Sequence, residues 1–400
     1  MLPTQGRLTR AQLPKGVRDL FGEEALQLRQ LESALLSGFR RWGYRDAIPP
    51  TFELHENTAV GLGEALDRAT FKFVDPDGAL MALRADFTNG IARLLATKLA
   101  AEPRPVRVCY SGTIFRNQRA LWGKQREFHQ AGVELVGADD AAAEVEVLAL
   151  AVETLSALGL AGFKLNLGHV GLFKALLAEC RLTAAQEALV RDAVDDRDRG
   201  RIGELCASLR VPEEARRALL ALPSLVGGRE VLEQARGLAD GPEWRAALDR
   251  LGAVLAGLAE LGHAGAVLLD LGEVKGIEYY TGVLFEGFVP GCGFPVLSGG
   301  RYDNLHAQFG QAGVAVGLAF VVERLMLALE AAGARPAHAP ARVAVAGGSA
   351  ESHRLAARLR ARGADVVVLL PGEDGAADRL HVTPGDPAVQ ALIDSLEAKS

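Results

Sequence analysis

The chain lacks the features that mark several large protein classes. Cysteine occurs four times in 400 residues, at Cys109, Cys180, Cys206 and Cys292. None belongs to a CxxC pair or stands at zinc-site spacing with histidine, so reduced and mostly buried thiols are the expectation. No stretch approaches the roughly 18 consecutive apolar residues of a membrane span. The opening MLPTQGRLTRAQLPKG has no apolar h-region, which argues against a secretory signal and makes the cytoplasm the expected location. Excess positive charge is missing too. A net charge of −6 argues against a generally basic nucleic-acid-binding surface, though not against a local basic groove. Walker A, Rossmann, zincin and nucleophile-elbow motifs are all missing, and no internal repeat or low-complexity run stands out. No metal or cofactor is expected.

What is present describes a globular protein of two or three domains, with 49% hydrophobic and 24% charged residues. Residues 23–42 place Leu28, Leu31, Leu35 and Phe39 on one helical stripe, ending near Gly43. RDAIPPTFEL must be extended, because Pro49 and Pro50 exclude a helix. FKFVDPDGALMALR predicts a hairpin about Asp75-Pro76-Asp77-Gly78, and ADFTNGIARLLATKLA a helix. Strands are predicted at 106–116 and 127–137 around a polar loop, then a helix over 138–158 and a strand over 163–167. From about 170 to 262 the pattern is helical, broken at Pro212, Pro223 and Gly227-Gly228, which marks an insertion. Strands resume at 266–272, 278–288 and 294–300, and GVAVGLAF leads into a helix. The expected division is a core over 1–333, a Pro/Ala linker over 334–340 and a short α/β domain over 341–400.

Three constellations could carry chemistry. Alternate residues of a strand share a face, so Phe128, Gln130, Gly132 and Glu134 point the same way. An aromatic ring, an amide and a carboxylate on one face suit a polar, planar ligand; a solvated sheet face is the competing explanation. Two of the five tyrosines are adjacent in EVKGIEYYTGVLFE, so Tyr279 and Tyr280 face opposite sides of their strand. Tyrosine hydroxyls and nearby carboxylates suit an ammonium or imidazole group, while a half-buried aromatic strand explains the pattern as well. SGGRYDNL offers a close backbone approach at Gly299-Gly300, or simply a turn. Arg324, at a strand–helix junction, either reaches over the sheet or lies in solvent.

In order along the chain these segments resemble the class II aminoacyl-tRNA synthetases, and among them histidyl-tRNA synthetase, over roughly residues 12–330. LPKGVRDLFGEE resembles that family's opening, RDAIPPTFE its motif 1 and IFRNQRALWGKQREFHQAGVELVG its motif 2. VKGIEYYTGVLFE and SGGRYDNL resemble its two histidine signatures, and GVAVGLAFVVERL its motif 3. The resemblance implies an α+β fold, an antiparallel sheet flanked by helices, with a helical insertion and a dimer formed through motif 1. It also implies a histidine-binding set of Asp86, Thr88, Arg116, Gln130, Glu134, Tyr279 and Tyr280. Phe128 and Arg324 match the pair that sandwiches adenine in that family.

The departures lie on the nucleotide side. Phe115-Arg116-Asn117-Gln118-Arg119 replaces FRxER, Ala120-Leu121-Trp122-Gly123-Lys124 replaces PQxGR, and Lys275 stands where the family carries an arginine at the α-phosphate. Lysine keeps the charge but lacks the planar bidentate fork. Gln118, Phe128, Lys275 and Arg324 thus read as a vestigial nucleotide side. About 60 residues follow the linker, against an anticodon-binding domain of roughly 90–100 in the family. Arg354, Arg358, Arg360 and Arg362 there read as the solvated face of a helix. This pattern resembles the non-aminoacylating paralogues of the family, the regulatory subunits of ATP phosphoribosyltransferase. That resemblance implies a partnership with the short-form catalytic subunit in a hetero-octamer, histidine as ligand and feedback signal, and no tRNA charging. A compact but active histidyl-tRNA synthetase, with Lys275 as its cation, is the alternative.

Overall fold

The computed structural model describes residues 12–59, 63–118, 125–178, 180–274, 280–334, 342–347, 349–370 and 379–397. Contacts divide the chain into two compact units, residues 1–335 and 336–400.

The first unit is built on a nine-stranded sheet. Its strands, in chain order, are β1 (Arg45–Asp46), β5 (Val106–Phe115), β6 (Glu127–Val136), β7 (Lys164–His169), β8 (Val226–Gly227), β9 (Val267–Asp270), β10 (Val283–Phe288), β11 (Leu297–Arg301) and β12 (Ala315–Val321). Across the sheet they run β1-β5-β6-β12-β11-β10-β7-β9-β8. The middle of the sheet is antiparallel, whereas β1 pairs with β5 and β7 with β9 in parallel. A separate three-stranded sheet joins β2 (Phe52–Leu54), β4 (Leu80–Leu83) and β3 (Lys72–Val74). Its hairpin closes where Gly78, at φ +90°, donates to the Asp75 carbonyl at 2.8 Å, because glycine reaches positive φ without steric cost.

The first helix covers Gly22–Arg41, with Glu23 and Glu24 in its first turn and Arg40 and Arg41 in its last, complementing the helix dipole. Its stripe of Leu28, Leu31, Leu35 and Phe39 is buried, and each such side chain contributes roughly 1.5–3 kcal/mol. Gly43, at φ +83°, turns the chain out of it. The helix Ala141–Ala157 starts where the Asp140 carboxylate accepts from Ala142 N at 2.8 Å. It is buried on several sides, with Val147, Leu148, Leu150 and Leu155 in the main core. Between Val170 and Glu260 the described residues form successive helices joined by short loops, with the 3₁₀ turn Leu222–Ser224 and β8, which pairs with β9. Pro212 and Pro223 both fall at helix boundaries, since proline lacks the N–H that a helix interior needs. No helix among the described residues is long and apolar enough to cross a membrane.

The second unit holds a parallel sheet of β13 (Arg342–Val345), β14 (Asp365–Val368) and β15 (Leu380–Val382), in the order β14-β13-β15. Its core includes Val343, Val345, Leu355, Leu359, Val382 and Ile393. On the helix Ala350–Arg360, Arg354, Arg358 and Arg360 are exposed; Arg362, just beyond it, is partly buried.

Candidate functional site

The ladder register fixes which side chains share a face of the large sheet. Gly132 lies opposite Tyr110 on β5 and Ala319 on β12, and Glu134 lies opposite Val108 and Gly317. Gly317 continues to Gly300 on β11. Phe128, Gln130, Gly132, Glu134, Tyr110, Gly300 and Gly317 therefore occupy one face. The glycines are a spatial requirement. A Cβ on Gly317 would collide with the Glu134 carboxylate, and one on Gly132 would come within 2.6 Å of the Tyr110 hydroxyl.

Glu134 is the centre of the site and is 2% exposed. It accepts hydrogen bonds from Thr88 Oγ1 at 3.0 Å, from the Tyr110 hydroxyl at 3.2 Å and from the Tyr302 hydroxyl. Burial pushes its carboxyl up to about 7; the three hydroxyls pull the other way, and nearby Asp86 adds to the rise. Thr88 opens the helix Thr88–Thr97. Asp86 stands just before it and accepts from Asn89 N at 3.4 Å. Burial raises the Asp86 carboxyl, and the positive charge of Arg116 opposes that rise.

Gln130, also buried, points to the same face with its Oε1 lacking any donor. A buried acceptor left unmet costs about 1–3 kcal/mol, so this one is suited to an incoming N–H. Tyr280 packs its ring beside Gly300, where an added Cβ would come within 2.8 Å of it. Its carbonyl accepts from Lys174 Nζ at 3.3 Å. The site thus joins a buried carboxylate, a second carboxylate, an open amide oxygen and tyrosine rings over a glycine floor. Such a surface can hold a small molecule bearing an ammonium group and a planar N–H heterocycle.

Arg116 and the residues expected to form a vestigial nucleotide side are arranged differently. Arg116 donates through Nε to the Ala85 carbonyl at 3.0 Å, and its guanidinium lies 5.4 Å from the centre of the Phe128 ring. Burial lowers its pKa and the Asp86 charge opposes this. Arg324 donates to the Pro295 carbonyl at 2.7 Å and lies over Phe294, 5.5 Å from the ring centre. Gln118 spends its amide on the carbonyl of Gln125, at 2.8 Å. His129 points to the other face, where Nδ1 meets Glu323 Oε1 at 2.8 Å and Nε2 meets Thr113 Oγ1 at 3.2 Å.

Of the residues expected from sequence, Asp86, Thr88, Arg116, Gln130, Glu134 and Tyr280 come together. Tyr279, Lys275 and the loop 119–124 lie outside the described residues. Tyr110 and Tyr302 were not anticipated. Tyr110 reads as an ordinary core residue of β5 until the register sets it over Gly132. Tyr302 lies within SGGRYDNL, but its bond to Glu134 spans 168 residues of chain. His306, buried and stacked on Tyr302 with ring centres 6.0 Å apart, backs that tyrosine.

Comparison with known proteins identifies the family of the chain. The sequence model of the family described as histidyl-tRNA synthetase matches residues 16–325. The ATP phosphoribosyltransferase regulatory subunit of Moorella thermoacetica is 43% identical over 317 residues, 79% of this chain and 82% of that protein. That of Symbiobacterium thermophilum is 42% identical over 366 residues, 90% of this chain and 91% of the relative. A crystal structure from Bacillus halodurans, described as an ATP phosphoribosyltransferase regulatory subunit/histidyl-tRNA synthetase, has a TM-score of 0.82 at 29% identity. It covers 94% of this chain and 100% of its own.

Proposed function

The chain belongs to the family of ATP phosphoribosyltransferase regulatory subunits, built on the histidyl-tRNA synthetase core, and from that membership we propose that it is a non-catalytic regulatory subunit that senses free histidine. It partners a short-form catalytic subunit in a hetero-octamer, is needed for the first step of histidine biosynthesis, and confers feedback inhibition by histidine. Its own copies pair through the synthetase-like core.

The observation that carries the reading is the Glu134 cluster. The carboxylate is held by three hydroxyls with Gln130 Oε1 open beside it. Histidine matches this arrangement. Its imidazole N–H meets Glu134 between the tyrosines, its ammonium meets Gln130 Oε1 and Asp86, and its carboxylate faces Arg116. Gln118 and Arg324, by contrast, spend donors on backbone carbonyls of this chain, which supports histidine binding without adenylation. Regulation then follows from linkage, since histidine shifts activity only by binding one state of the complex better than another.

Mixing the purified chain with a short-form catalytic subunit should raise phosphoribosylation of ATP and make it sensitive to histidine. Failure to co-purify, to activate and to confer inhibition would refute the proposal. The Bacillus halodurans description also names histidyl-tRNA synthetase, so histidine-dependent pyrophosphate exchange is the second measurement. Clear turnover there would favour a compact synthetase.

A further inference from the structure

Tyr280 and Tyr302 flank the site, and their chain neighbours join an ion cluster centred on two buried side chains, Glu144 and Arg301. Glu144, in the first turn of the Ala141–Ala157 helix, is 0% exposed. It accepts from Arg301 Nε at 2.7 Å and from Arg250 Nε and Nη2 at 3.1 and 3.0 Å. Arg301, at the end of β11, is itself buried and lies 3.3 Å from Asp303. Asp303 accepts from Thr281 Oγ1 at 2.9 Å, while its own N–H donates to that oxygen at 3.0 Å. Thr281 N–H donates to the Arg301 carbonyl at 2.7 Å. The flanking Tyr280 and Tyr302 are the sequence neighbours of Thr281 and of Arg301 and Asp303. Arg250 comes from elsewhere, the helix Pro242–Glu260 of the insertion.

Moving ions out of water costs several kcal/mol per ion, and mutual attraction recovers this only in good geometry. With Glu144 and Arg301 buried, and Arg250 and Asp303 reaching in from the edge, the cluster has few acceptable arrangements, and displacing one member disturbs the rest. The insertion helix and the Tyr280–Asp303 segments are held to one another through Glu144. Any ligand that favours one arrangement of the tyrosines favours the matching position of Arg250, and the coupling is reciprocal.

We propose that Arg250, Glu144 and Arg301 are positioning residues that join the helical insertion to the tyrosines, so that an amino acid bound at Glu134 is felt along the 242–260 helix. The ligand half of this inference rests on the histidine-sensing reading above; the mechanical half does not.

The test uses the full chain, L-histidine calorimetry and amide hydrogen exchange. In the wild type, histidine should slow exchange along 242–260. R250M leaves the Glu144–Arg301 pair in place and removes the insertion's arm, including its bond to the Asp139 carbonyl at 2.7 Å. It should weaken histidine binding by about three- to thirtyfold and abolish that protection. R250K, which keeps the charge but not the fork, should recover part of both. R245M lies on the same helix in an exposed pair with Asp240 at 3.4 Å, and should change neither. If R250M is poorly folded, R250K carries the comparison, with a smaller loss in the same direction. A lowered Tm with affinity and protection unchanged would overturn the proposal. A ligand-free arm tests the mechanical half alone: R250M should speed exchange across 280–303, and unchanged exchange there also overturns it. No heat with wild-type protein would instead count against the histidine reading, leaving that arm to decide the linkage.

Discussion

The two halves of the candidate site satisfy their polar groups in opposite ways. Around Glu134 side chains from distant elements meet each other: Thr88, Tyr110 and Tyr302 converge on one carboxylate, and Gln130 leaves an acceptor open. Around Arg324 side chains fold back onto the chain. Arg324 bonds Pro295 and stacks on Phe294, and Gln118 bonds Gln125. A group tied to its own backbone must break that bond before it can serve a ligand. A preorganised carboxylate with an open amide beside it has no such cost. On the proposed reading, the contrast separates a surface open to an amino acid from one whose donors are spent on backbone carbonyls, with Arg116 at the border between them.

Removing Glu134 should break the contrast most sharply. E134A strips three hydroxyls of their acceptor and the ligand of its carboxylate. Histidine affinity should fall by about 2–3 kcal/mol, roughly 30- to 150-fold, read by calorimetry. Affinity equal to wild type would leave the amino-acid side without its centre. R116M comes next. It removes a cation facing the expected ligand carboxylate, and histidine binding should weaken about tenfold. Arg116 also opposes the burial-driven rise of the Asp86 carboxyl. In R116M Asp86 therefore ionises at higher pH, and the pH optimum of histidine binding should move upward.

A smaller effect sharpens the same comparison through stability. Burial raises the Glu134 carboxyl from 4.5 to about 7 in the folded protein. The folded state then holds a proton that the unfolded state has already released between these values. Its contribution is complete below the unfolded value and is lost as pH rises through about 7. E134Q carries no such titration. From pH 5 to pH 8 its melting temperature should gain on the wild type by about 2 °C. A pH-independent gap would mean that Glu134 is ionised throughout.

Much of this was legible before any coordinates, and the division has a physical basis. Periodicity placed the first helix at 23–42, and it spans Gly22–Arg41. Alternation placed the long strands at 106–116 and 127–137, and they span Val106–Phe115 and Glu127–Val136. Local signals carry such elements because a stripe or a pleat face repeats within a few residues. The shared direction of Phe128, Gln130 and Glu134 followed from the same rule. Pairings between distant segments did not. The parallel β1–β5 and β7–β9 pairs, the Tyr110–Gly132 opposition and the Arg301–Glu144 bond across 157 residues depend on register and topology, which no local pattern encodes. Arg324 illustrates the gap. The family pattern sets it against Phe128 across a base, whereas its guanidinium covers Phe294 and Arg116 covers Phe128.

The smallest expected effect is the most informative about where the border lies. Burial lowers the Arg324 pKa; Nη1 donates to the Pro295 carbonyl and the guanidinium lies over the Phe294 ring, while Nε is buried without a hydrogen-bond partner among the described residues. R324M keeps the apolar stem that packs there and removes only the charged head. If the nucleotide side is independent of the amino-acid side, this substitution should change histidine affinity by less than about twofold, the usual limit for separate sites without shared partners. Arg116 couples electrostatically to both Asp86 and Arg324, so it is a residue through which the halves can communicate. The double variant R116M/R324M should then bind histidine as R116M does. A loss in R324M as large as that in R116M would mean that Arg324 leaves Pro295 to meet the ligand, and the two halves would be one site.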